Sequence, residues 1–99
     1  RQFMLASDLA RVIHEYIKQD CRHSFNVAPD INLSVNDIAK IAIEECTDGS
    51  MSIKYDSSKP NGQHRKDVDT SLLKNYISDF SFTKLNEGIK SIYEYYTTN

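Results

Sequence analysis

The sequence predicts an α/β fold, β-α-β-α-β followed by two helices, and three observations carry that expectation. Apolar residues recur at helical spacing around Val12 and again around Ile38. Short β-prone runs at 1–5, 24–28 and 51–55 flank those two stretches. Pro29-Asp30 and Asp48-Gly49 place turn residues at the junctions. Strands alternating with helices read as units joined by right-handed crossovers.

The elements follow in order. Residues 1–5, mostly apolar, are expected as the first strand, and Ser7 or Asp8 as the cap of the first helix. Its apolar stripe is Leu9, Val12, Ile13, Tyr16 and Ile17, with Arg11, Glu15 and Lys18 on the other side and Arg11 and Glu15 spaced to pair at i,i+4. The second strand, 24–28, stops at Pro29. Ser34 is expected to open the second helix, with Asp37 where a carboxylate can reach back to complete a capping box. Val35, Ile38, Ala39, Ala42 and Cys46 form its inner face, with Ile41 beside it, and a third strand occupies 51–55. Ser71 to Tyr76 predicts a short helix, and Phe80 and Phe82 are apolar anchors in a connector. Thr83 is expected to cap a last helix whose inner stripe is Leu85, Ile89, Ile92, Tyr93 and Tyr96.

The totals bound the function. A chain of 99 residues has room for one domain. With 12 basic and 14 acidic residues and a formal charge of −2, it is not a nucleic-acid binder by charge, and no face interleaves aromatic and basic residues. No apolar run approaches the roughly 18 residues of a membrane span. Cys21 and Cys46 stand apart, without metal-ligand spacing, so a reduced, cytoplasmic setting is expected and no metal site. The chain opens at Arg1 without an initiator Met, which suggests part of something longer.

The richest stretch is the loop from Ser57 to Lys66, where Lys59, Arg65 and Lys66 surround a Pro60-Asn61-Gly62 turn. Arg offers a planar fork and Lys a point charge, both suited to a phosphate ester. His64 lies among these cations, which disfavour its protonated form. Tyr55 and Lys59 reproduce the Y-x-x-x-K spacing of a dehydrogenase. That spacing works only on a helix, and Pro60 disfavours helical geometry at Lys59. His14 and His23 read as structural. No glycine-rich dinucleotide loop, Walker loop or H-E-x-x-H is present.

Two segments together resemble a known family. The run Arg1-Gln2-Phe3-Met4-Leu5-Ala6-Ser7-Asp8-Leu9-Ala10 is similar to one shared by extended short-chain dehydrogenase/reductases acting on nucleotide sugars, and Phe25-Asn26-Val27 to their next strand. The loop Ser58-Lys59-Pro60-Asn61-Gly62-Gln63-His64-Arg65-Lys66, with Asp69 and Leu73, resembles that of the GDP-L-fucose synthases within this family. So does the ending, Leu85 to Ile89 and Tyr93 to Tyr96.

The resemblance implies that residues 1–99 are the C-terminal, GDP-sugar-binding domain of an NADPH-dependent GDP-4-keto-6-deoxymannose epimerase-reductase. It implies Arg1, Arg65 and Lys66 on the diphosphate, with Asn61 standing where the family carries Asp in a substrate-binding position. The catalytic groups and the NADP(H) site would lie in a missing N-terminal Rossmann domain. The parent would be an enzyme and a homodimer, and this piece alone inactive, with no catalytic residue, cofactor or metal of its own. Two rivals stay open: the same family acting on another nucleotide sugar, and a stand-alone binding or interaction module.

Overall fold

The computed structural model describes residues 1–58 and 67–98. The segments with helical apolar spacing fold as helices: α1 (Ala6–Lys18), α2 (Val35–Cys46), α3 (Ser71–Tyr76) and α4 (Leu85–Thr98). Among the described residues there is no strand, so the expected α/β, β-α-β-α-β architecture is overturned.

The reason lies in how the extended runs find partners. A ladder needs successive backbone groups to pair across neighbouring chains. Here Arg1 and Leu33 exchange both backbone bonds, at 2.7 and 2.8 Å, and pairing ends there. Side-chain amides make the other links. Gln2 Nε2 donates to the Pro29 carbonyl at 2.8 Å, its Oε1 accepts from Val68 N–H at 3.0 Å, and Asn26 Nδ2 donates to the Asp69 carbonyl at 3.1 Å. The runs at 1–5, 24–28 and 51–55 have β composition but, among the described residues, no ladder.

Local chemistry sets the helix ends, and not always as expected. α1 starts after Leu5 without a side-chain cap, because Ser7 and Asp8 both lie inside the helix. It closes with Asp20 at φ 52°, Cys21 N–H on the Tyr16 carbonyl and Asp20 N–H on the Ile17 carbonyl, the paired bonds of a Schellman end. α2 carries the expected capping box. Asp37 N–H donates to Ser34 Oγ and Ser34 N–H to Asp37 Oδ2, both at 3.0 Å. Thr83 does not cap α4; its hydroxyl and N–H both turn to Asp8.

Val12, Leu73 and Ile77 form the buried centre, at 2, 4 and 5% exposure, with Phe25, Val27, Tyr76, Phe80 and Phe82 packed around them. Phe25 stacks on Tyr76 at 6.1 Å, and Phe80 meets Phe82 edge-on at 4.9 Å. α2 packs against α4 as a second layer. Leu5 reaches that layer at Gly88, where an added Cβ would sit 2.9 Å from Leu5 Cγ. The predicted stripes are only partly covered. Ile13 and Ile17 of α1, Val35 of α2, and Ile92, Tyr93 and Tyr96 of α4 are exposed. The body measures 47 × 34 × 19 Å, and its radius of gyration of 16.2 Å exceeds the roughly 13 Å of a compact chain this long.

Candidate functional site

Of the predicted site residues, only Arg1 is described. Asn61, Arg65, Lys66 and the neighbouring His64 lie outside the described residues. The structure does show what surrounds Arg1 and what holds the chain just beyond that loop. The Arg1 amino nitrogen donates to Asn32 Oδ1 and to the Leu33 carbonyl, both at 2.7 Å. Asn32 Nδ2 donates in turn to Asp67 Oδ1. The next residue, Val68, is bound through its N–H to Gln2. Residues 1–2, 29–33 and 67–68 thus form one hydrogen-bonded unit. Asp67, the first described residue after the loop, is one amide side chain away from Arg1.

Before the loop, the chain is held locally. Asp56 Oδ1 accepts from Ser58 N–H at 3.1 Å and from its hydroxyl at 2.5 Å, and those bonds hold the Asp56 carboxyl below the usual carboxylate range. The Tyr55 hydroxyl donates to Asn36 Oδ1 at 2.5 Å, in the first turn of α2. Tyr55 is therefore committed to a structural bond, whereas Lys59 lies outside the described residues.

A second polar cluster escapes a reading along the sequence. Asp8 is 1% exposed and accepts from Arg11 Nη2 at 2.7 Å, Thr83 N–H at 2.9 Å and Thr83 Oγ1 at 2.8 Å. Burial pushes its carboxyl up, but the bonds from Arg11 and Thr83 outweigh that and bring it below its ordinary value. Arg11 also donates to the Ser81 carbonyl at 2.9 Å and sits over the Phe80 ring at 4.6 Å. It pairs with Asp8, not with Glu15 as its spacing suggested; Glu15 accepts from Gln19. The i,i+3 spacing of Asp8 and Arg11 was a visible signal, but the partner at Thr83 was not.

An open groove of about 840 Å³ lies between α1 and residues 76–81, with Arg11, His14, Glu15, Asp79 and Phe80 among its walls. It shares no lining residue with the Arg1 unit. His23 stacks on Tyr76 at 5.4 Å, and both cysteines are free thiols. Among the described residues no cluster of side chains could hold a metal ion, and no helix is long and apolar enough to cross a membrane.

Among the described residues no helix N-terminus follows a glycine-rich turn of the kind that cradles a pyrophosphate in a Rossmann domain.

The chain shows a distant likeness to a known protein. It is 26% identical over 103 residues to a GDP-L-fucose synthase of Dictyostelium discoideum, an alignment covering all of this chain and 32% of that protein. The chain therefore spans about a third of that protein's length. No family model matches the sequence. No solved structure matches it.

Proposed function

We propose that this chain is the nucleotide-sugar-binding portion of a GDP-4-keto-6-deoxymannose epimerase-reductase that makes GDP-L-fucose. The observation that carries this reading is the likeness to a GDP-L-fucose synthase along the whole chain. In the proposed arrangement the Arg1 guanidinium meets the diphosphate, together with Arg65 and Lys66, and Asn61 offers a neutral acceptor to the ligand. Charge-assisted bonds of this kind contribute roughly 1.5–3 kcal/mol each. The hydrogen bonds between residues 1–2 and Leu33, Pro29 and Val68 support the proposal, since they hold the segment carrying Arg1 beside the chain adjoining the loop.

NADP(H) has no place in this reading on the residues described here and would be held by a separate Rossmann domain of the parent. Acid/base epimerisation and ketone reduction would occur there, with the present chain orienting the sugar. The exposed apolar side chains Ile13 and Ile17 of α1, and the extended runs without a ladder, are surfaces such a domain could cover.

Calorimetric titration of the 99-residue chain with GDP, and separately with UDP, tests the proposal. GDP should bind in the preferred mode and weaken with added salt, and Arg1→Ala or Lys66→Ala should each reduce affinity roughly tenfold. Equal affinity for UDP would move the reading to another nucleotide sugar. Absence of binding would overturn it.

A further inference from the structure

We draw no further inference here: the strongest candidate, the open groove between α1 and residues 76–81, sets the Arg11 guanidinium, already paired with Asp8, beside the Glu15 and Asp79 carboxylates, a mixture that selects no one class of ligand, and nothing in the structure shows what covers it.

Discussion

The two layers of this molecule are built from similar helices but hold together differently. Around α1 and α3, Val12, Leu73 and Ile77 are buried, aromatic rings close over them, and a buried carboxylate ties the layer to the connector at Thr83. α2 and α4 pack on each other with a single buried residue, Gly88, and Val35 at the start of α2 is 72% exposed. Both layers carry apolar stripes of helical period. What separates them is whether a third element packs on the helices: the connectors at 23–28 and 77–82 close over Val12 of α1 and Leu73 of α3, while Ile13 and Ile17 of α1 stay exposed. Amphipathic spacing marks a face that can be buried and does not supply the surface that buries it.

That contrast can be broken or sharpened by mutation. Leu73→Ala should cost about 3–4 kcal/mol in urea unfolding, and Ile38→Ala, half-buried on α2, roughly 1 kcal/mol or less. Equal losses would mean the second layer is as tightly covered as the first. Asp8→Ala should cost roughly 3 kcal/mol, because Arg11 and Thr83 lose their shared acceptor.

The same carboxylate makes the difference dependent on pH. The Asp8 pKa is lower folded than unfolded, so its contribution is complete above about pH 4, the unfolded value. It is lost as pH falls through the folded value. The stability gap between wild type and Asp8→Asn, followed by thermal unfolding from neutral pH downward, should therefore narrow in acid. A gap that widened there would reverse the sign assigned to Asp8.

Smaller effects probe the seam between the layers. Gly88→Ala gains up to about 1 kcal/mol of helix propensity but drives a methyl into Leu5, an overlap that typically costs 1–3 kcal/mol, about 1 net. Adding Leu5→Ala should make the double variant less harmful than the sum of its parts. A stabilised Gly88→Ala would show that Leu5 moves aside freely.

The helices were legible because their signals are local. The Ser34–Asp37 box and the 71–76 stretch need only neighbours within one turn. The strands were misread because alternation such as Phe25 and Val27 reports that one side of an extended run is buried, which is the case here, but not that a ladder exists. Whether backbone or side-chain groups pair such a run depends on residues far away, as Gln2 on Val68 shows. The same limit governed the candidate site. Arg1 and the cationic loop stood out by residue type, whereas Asn32 and Gln2 drew no notice as common polar residues whose role depends on partners 27 or more positions distant. Asp8 was read, with Ser7, as a candidate cap because Ser and Asp favour that position; of its two partners Arg11 is local, and Thr83 lies 75 residues on.

That separation bears on the order in which the chain acquires its structure. Closing a loop of 75 residues loses more chain entropy than forming any helical turn, so the bonds from Thr83 to Asp8 belong among the last to form. Weakening them should leave the folding rate nearly untouched and appear as faster unfolding. The buried carboxylate then acts as a latch on the lifetime of the finished molecule, closed only once both ends of the chain have come together.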